Sequence, residues 1–201
     1  MIETIAHCDK VCKYIDLPLQ HASDRVLKRM KRPGTRRGYE TLLARIRARI
    51  PGVTLRTTFI VGFPDETEED FRALVDFIDT VEFDHVGVFT YSHEEGTSAY
   101  DLGDNVPAAT KERRRNALMA RQQTLVTRRQ ASRIGERARL VVDGASEEHE
   151  LVLRGRIEGQ APEIDPFVYL TECDPSTYAG GDFIDVEFVG SRHYDLIAKP
   201  V

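Results

Sequence analysis

The hydrophobic periodicity of this chain changes once, near residue 135, and that change limits the folds that it can adopt. Upstream, β-branched apolar runs alternate with segments whose apolar residues recur every three or four positions. Downstream, from Glu136, short β-rich runs are separated by Gly, Asp, Pro and Ser. Since strands and helices bury one face with different periodicities, we predict two domains, covering residues 1–135 and 136–201.

The upstream region is predicted to alternate strands and helices. Apolar strands are expected at 13–19, 53–63 and 85–91. Ser23 is a good N-cap for a helix after the first strand, and residues 67–70 form a capping-box pattern after the second. Short loops between these elements imply right-handed parallel βαβ units. Three such strands are too few to close a barrel alone.

Two more helices are predicted from spacing and composition. An Arg-rich stretch at 107–134 contains no Gly and no internal Pro, and Gly135 is a plausible C-cap for it. The other helix follows the first predicted helix, and its apolar residues share one face. Those residues are Tyr39, Leu42, Leu43, Ile46 and Ile50.

The downstream region predicts a small antiparallel β-barrel. Its five short strands are separated by turn signals every ten or so residues, which is typical of such barrels. The expected strands are 138–142, 151–157, 167–170, 182–189 and 195–198.

Charge is distributed in blocks of opposite sign. The net charges of residues 1–50, 51–100, 101–135 and 136–201 are +7, −9, +5 and −8. The last block carries six Lys and Arg against fourteen Asp and Glu. Blocks this uneven indicate surfaces with different partners.

Several protein classes are not expected from this sequence. No apolar run approaches the ~20 residues that span a bilayer, and the N-terminus has neither the basic start nor the apolar core of a signal peptide. Three cysteines are too few, and odd in number, for a disulfide framework. We therefore expect no membrane partner and a reducing, cytoplasmic setting.

Two segments are candidates for ligand binding, because each leads from a strand end into a helix N-terminus. Parallel α/β folds bind ligands at the carboxyl ends of their strands. In the first segment, Gln20, His21 and Ser23 could hold a ribose or a carboxylate. In the second, Gly62 would let a ligand approach the backbone, and Glu66 opens a helix. Taken alone, the second segment is equally a tight β–α turn with an N-cap, and Ser23 of the first segment favours the interpretation as a simple N-cap.

Four segments in order resemble the radical S-adenosylmethionine (SAM) methylthiotransferases. Residues 18–27 with 30–32 look like the fourth barrel strand and helix of that family, and 56–67 like its fifth strand and SAM-contacting turn. Residues 89–92 with 95–99 are similar to its sixth strand and exit loop. Residues 155–162 resemble its C-terminal TRAM barrel. Any one motif is weak, but four in order cover nearly the whole chain.

The resemblance implies an α/β fold: the C-terminal part of a radical SAM (β/α) partial barrel, followed by a small antiparallel TRAM-like β-barrel. By motif position it also implies site residues. Those for SAM are Gln20, Ser23, Arg56, Thr58, Gly62 and Glu66, and those for the substrate mouth are Tyr91 and Ser92. Asp65 stands where the family commonly has Gly, which should stiffen this turn.

Within the family, His21 and the triplet at 56–58 look like the RimO branch, which modifies an aspartate of ribosomal protein S12 using SAM and [4Fe–4S] clusters. The other branch, the MiaB type, modifies a tRNA adenosine. A barrel that grips RNA should be basic, whereas residues 136–201 are acidic and would attract a basic protein. A tRNA methylthiotransferase fragment and a non-catalytic TRAM-type binding protein remain alternatives.

The family's cluster-binding cysteines are expected to be missing from this chain. Cys8 and Cys12 have the C-x3-C spacing, but the third ligand position is Ile15, and Cys173 falls in the predicted barrel. Thiolates are the usual ligands of such clusters, so we expect no metal site. The resemblance also begins only at the fourth barrel strand. We therefore expect a fragment that is inactive alone, and leave open whether the chain itself is an enzyme.

Overall fold

A computed structural model describes residues 1–146 and 151–201 and divides them into two compact units. The first unit comprises Met1–Cys8 and Ile15–Gln122, and the second comprises Asp9–Tyr14 and Gln123–Val201. The domain boundary that the sequence suggests near residue 135 stays a prediction.

The predicted helices and strands form in the predicted order, and α1 is an additional helix that the sequence pattern did not predict. The helices are α1 (Ile2–His7), α2 (Asp24–Arg29), α3 (Arg36–Arg49), α4 (Glu68–Val81) and α5 (Ala108–Ser132), with 3-10 turns at Tyr100–Leu102 and Pro175–Thr177. The strands are β1 (Tyr14–Asp16), β2 (Thr54–Val61), β3 (His85–Thr90), β4 (Arg137–Ala145), β5 (Leu153–Ile157), β6 (Val168–Leu170), β7 (Phe183–Arg192) and β8 (Asp195–Pro200).

The first unit is built on a three-stranded sheet in the order β1-β2-β3. Strands β2 and β3 are parallel, with Arg56 opposite His85 and Val61 opposite Thr90. Burial alternates along β2, because successive side chains of a strand point to opposite faces. Its fully buried face packs into a core with α3, α4 and Leu118 of α5. This arrangement confirms the predicted parallel α/β region.

The helix N-termini form as their sequences predict. The Ser23 side chain accepts a hydrogen bond from the backbone N–H of Val26, and Thr67 and Asp70 form the reciprocal capping box. The prediction that all the apolar residues of α3 share one buried face is wrong at one position. Leu42 is 37% exposed, whereas Leu43 and Ile46 are buried, since only the narrower stripe of α3 reaches the sheet.

The second unit contains a closed barrel in the order β4-β5-β6-β8-β7, which confirms the five predicted strands. Its core consists of alternate strand residues such as Leu140, Val168 and Phe188. One pairing differs from the antiparallel prediction: β6 and β8 run parallel, with Val168 opposite Leu196. Strands β6 and β8 are not consecutive in sequence, so no turn joins them directly and turn signals do not encode their pairing. No helix within residues 1–146 and 151–201 is long and apolar enough to cross a membrane.

Candidate functional site

A cavity of about 460 Å³ lies in the first unit, where β2 and β3 end. Its volume falls in the range of small-molecule sites, and its position is the one that parallel sheets use for ligands. The residues that line it are Gln20, Arg29, Met30, Arg32, Ile60, Phe63, Thr90, Tyr91, Ser92, Thr97, Ser98 and Ala99.

The cavity wall combines aromatic, hydroxyl and cationic groups. The rings of Phe63 and Tyr91 meet edge to face with centroids 5.1 Å apart, which gives the wall a fixed aromatic corner. Thr90 and Ser92 add hydroxyl groups beside it, and no Asp or Glu is among the lining residues. Such a wall suits a flat ring with polar substituents.

Glu66 fixes the turn that follows β2. Its side chain is fully buried, and the backbone N–H groups of Gly62 and Phe63 donate to Oε2 at 2.5 and 3.2 Å. Arg114 of α5 donates from Nη1 to Oε1 at 3.0 Å. Burial raises the pKa of Glu66 to about 6, although Arg114 and the two backbone donors oppose the rise. The carboxylate therefore holds the backbone from which Phe63 enters the cavity wall.

His21 lies beside Glu66 and is fully buried. The backbone N–H of Ser23 donates to His21 Nδ1 at 2.9 Å, so we assign the ring proton to Nε2. Nε2 lies 3.8 Å from Glu66 Oε2 and has no hydrogen-bond partner among the described residues. Burial lowers the pKa of His21 to about 4, with further lowering by Arg114 and Arg25 and an opposing effect of Asp70. The imidazole is therefore neutral at physiological pH.

Asp70 accepts hydrogen bonds from polar groups of both β–α turns, the one before α2 and the one before α4. It accepts hydrogen bonds from Ser23 Oγ at 2.6 Å and from Thr67 N and Oγ1 at 2.8 and 2.7 Å, and it pairs with Arg25. Burial alone would raise the pKa of Asp70, but these hydrogen bonds outweigh it and hold the pKa well below its ordinary value. One ionised carboxylate thus ties the start of α2 to the start of α4.

Helix α5 holds the other side of the cavity through Lys111. Lys111 Nζ pairs with Asp104 at 2.6 Å, donates to the Tyr91 carbonyl oxygen at 3.1 Å, and lies 5.1 Å from the centre of the Tyr91 ring. The same side chain covers Gly62, where a Cβ atom would lie 2.3 Å from Lys111 Cγ. Gly62 has φ +76°, so both conformation and space favour glycine there.

Three of the eight predicted site residues, Gln20, Tyr91 and Ser92, line the cavity. Gly62 and Glu66 lie in the turn behind Phe63. The Ser23 hydroxyl is directed to Asp70. The structure thus brings five of the eight to the cavity or the turn beside it.

The other two predicted residues lie along β2. Arg56 and Thr58 occupy the same face of that strand as Ile60, and Arg56 pairs with Asp16 at 2.9 Å. Neither is among the residues that line the cavity. The role of all eight residues as SAM or substrate contacts stays a prediction.

Several residues that shape the site were missed from the sequence. Arg29 and Arg32 belong to the predicted helix and its end, but no spacing rule marks them as cavity residues. Lys111 and Arg114 are two of eight basic residues in a block of net charge +5. Their i, i+3 spacing on an Arg-rich helix was the one available signal, and it is common on solvated helices.

Asp65 shows why glycine suits its position. Its backbone has φ +64°, the left-handed region that favours glycine. Here the side chain pairs with Arg29 and contacts Asn105, and the Asp65 N–H donates to Asn105 Oδ1 at 2.9 Å. These contacts stabilise the turn that the sequence predicts to be stiffened.

The donor set of residues 1–146 and 151–201 does not fit an iron–sulfur cluster. Cys8, Cys12 and Cys173 form no disulfide within the described residues. Across residues 1–146 and 151–201, no group of three or more Cys, His, Asp or Glu side chains is placed to hold a metal ion. Three thiolates are the usual requirement for such a cluster, so these residues do not supply it.

Two family profiles match the chain. The radical SAM superfamily profile matches residues 1–78, and the TRAM domain profile matches residues 134–201. The first match ends in α4 and includes the two β–α turns of the site; the second covers the closed barrel.

Three similar proteins bear the name ribosomal protein uS12 methylthiotransferase RimO. Those of Acetivibrio thermocellus, Geobacter sulfurreducens and Myxococcus xanthus are 44%, 45% and 43% identical to this chain. The matches cover 99–100% of this chain and 42–44% of each relative, so the chain spans less than half of their length. The chain therefore carries a radical SAM segment at residues 1–78 and a TRAM domain at residues 134–201, and over its whole length it is similar to proteins named ribosomal protein uS12 methylthiotransferase RimO.

Proposed function

We propose that this chain is part of a ribosomal protein uS12 methylthiotransferase, to which it contributes a SAM site and an acceptor-binding barrel. The observation that carries the proposal is the identity of 43–45% to proteins with that name over the whole chain. The cavity at the strand ends supports it independently, because it lies where this fold class binds ligands.

The residues of the cavity fit an adenosyl ligand. Phe63 and Tyr91 offer an aromatic corner for a purine ring, and stacking on such side chains is a common way to hold a base. The Gln20 amide and the Ser92 hydroxyl can bond ribose hydroxyls. In this proposal Gly62 and Glu66 act through the turn that carries Phe63, and Arg56, Thr58 and Ser23 support the same strand ends.

When bound, SAM would supply the methyl group and the one-electron chemistry of the reaction. This chain's own task is to bind and orient it. The buried Glu66–Arg114 pair and the Lys111–Tyr91 contact keep both walls of the cavity in place before a ligand arrives, and preorganisation lowers the cost of binding. The ligands of an iron–sulfur cluster are not among the described residues.

The acidic C-terminal region favours a protein acceptor over tRNA. Residues 136–201 carry a net charge of −8, to which Glu147, Glu148 and Glu150 contribute from outside the described residues. RNA binding depends on neutralising phosphates with cations, whereas an acidic surface attracts a basic ribosomal protein. An enzyme that acts on a ribosomal protein would work in the cytoplasm.

Filling the cavity should weaken SAM binding strongly. Ala99 is half-buried in the cavity wall, so Ala99→Trp would occupy the space of the ligand and weaken SAM at least about tenfold in calorimetric titration of the chain. Ala44→Trp, at an exposed position of α3, is the matched control and should bind as the unmodified chain does. Equal affinity of all three proteins, or no SAM binding by the unmodified chain, would rule out this site.

A further inference from the structure

Arg32 places an unpaired positive charge on the cavity wall. It is exposed, and none of the ion pairs formed within residues 1–146 and 151–201 involves it. The other cation of the wall, Arg29, pairs with Asp65. No Asp or Glu is among the lining residues, so the wall carries one positive charge that no neighbouring carboxylate compensates.

The partners of Arg29 explain why Arg32 is the available group. Asp65 is held from three sides: its N–H donates to Asn105 at 2.9 Å, its carbonyl oxygen accepts from Arg25 Nη2 at 2.6 Å, and its carboxylate binds Arg29 and Asn105. The charge of Arg29 is therefore compensated by this turn, although its buried Nε has no hydrogen-bond partner among the described residues. Arg32 is left as the cation of the cavity wall whose charge a ligand anion would match.

The geometry of a guanidinium selects the kind of anion. Its planar donors bind a carboxylate through two parallel hydrogen bonds, which are stronger than neutral ones. The Ser98 hydroxyl lies on the same cavity wall and can donate a hydrogen bond to the same anion.

We propose that Arg32 forms a carboxylate subsite of the cavity. This inference rests on the proposed function, in which two ligands carry such a group. One is SAM, through its amino acid end, and the other is the acceptor protein, through an acidic side chain. Both use the same chemistry, and binding measurements on the 201-residue chain separate them.

The experiment compares Arg32→Gln with Arg37→Gln, which removes the same charge from an exposed position of α3 outside the cavity. Four probes are titrated: SAM, 5′-methylthioadenosine, which lacks the carboxylate, uS12, and uS12 whose carboxyl groups have been amidated. Arg32 is exposed, so both variants should fold, which their circular dichroism and melting temperatures verify.

Selective weakening by Arg32→Gln of about tenfold supports the subsite and identifies its ligand. If Arg32→Gln weakens the binding of SAM but not that of 5′-methylthioadenosine, the carboxylate in the subsite is that of SAM. If the variant weakens the binding of untreated uS12 but not that of amidated uS12, the carboxylate belongs to the acceptor protein. The Arg37→Gln variant should match the unmodified chain throughout.

Equal binding of every probe by both variants and the unmodified chain would overturn the subsite. If SAM and 5′-methylthioadenosine still bind in that case, the proposed function stands without Arg32. If none of the four probes binds the unmodified chain, the subsite and the proposed function both fail.

Discussion

Replacing Arg114 by Met should lower the free energy of unfolding by about 3–5 kcal/mol, because it leaves the buried Glu66 carboxylate without its cation. The two side chains are 5% and 0% exposed and 3.0 Å apart, so solvent cannot replace the lost partner. Arg114 also donates to the Glu66 carbonyl oxygen at 3.1 Å. Urea unfolding at a pH well above 6, where Glu66 is ionised, measures the loss.

Two further variants test whether the loss of stability comes from the buried Glu66–Arg114 pair or from any removal of charge from α5. Arg115→Met removes a charge from a side chain that is 47% exposed and 3.6 Å from Glu112, and should change stability by less than about 0.5 kcal/mol. Adding Glu66→Gln to Arg114→Met should restore part of the loss, because no buried charge is then uncompensated. An Arg114→Met protein as stable as Arg115→Met would show that this pair does not hold the turn.

Acidification should destabilise the chain through His21 by about 3 kcal/mol at 1.36 kcal/mol per pKa unit. Burial holds the folded-state pKa near 4, against 6.5 for an ordinary histidine. Between these values the unfolded chain binds a proton that the folded chain excludes. The stability due to His21 is therefore complete above pH 6.5 and is lost as the pH falls toward 4.

Glu66 acts in the opposite direction over part of that range, since its raised pKa removes stability as the pH rises through about 6. Subtracting the profile of His21→Asn isolates the histidine, because Asn can accept the Ser23 N–H but does not titrate. The difference in free energy of unfolding between the unmodified chain and His21→Asn should grow as the pH rises from 4 to 6.5. The control is His93→Asn, at an exposed position, which should not reproduce this pH-dependent difference in the free energy of unfolding. A difference for His21→Asn that is constant with pH would contradict a neutral buried imidazole.

Local signals predicted the elements of this fold well. The Thr67–Asp70 capping box and the Ser23 cap form because their partners lie within three residues, so the pattern itself contains the contact. The strand pattern likewise predicted the closed barrel. The parallel β6–β8 pairing was missed, since it joins segments whose neighbours in sequence do not encode which partner they meet.

The candidate site was predicted only in part, for the same reason. Strand ends and turn residues such as Gly62 and Tyr91 can be located from local patterns. The groups that hold them cannot: Arg114 reaches Glu66 across 48 positions, and Lys111 reaches Tyr91 across 20. Arg32 has no distinctive spacing, and only the folded cavity shows that it lies on the wall.

The proposed function assigns this chain to an enzyme that modifies uS12 rather than tRNA. Its most direct test is the affinity of the chain for uS12 and for bulk tRNA at about 50 and about 200 mM salt, where phosphate-driven binding changes steeply. We expect uS12 to bind at least about tenfold more tightly than tRNA at the lower salt, and to weaken as salt screens the acidic region. Tight, salt-sensitive binding of tRNA with no binding of uS12 would contradict the proposed function.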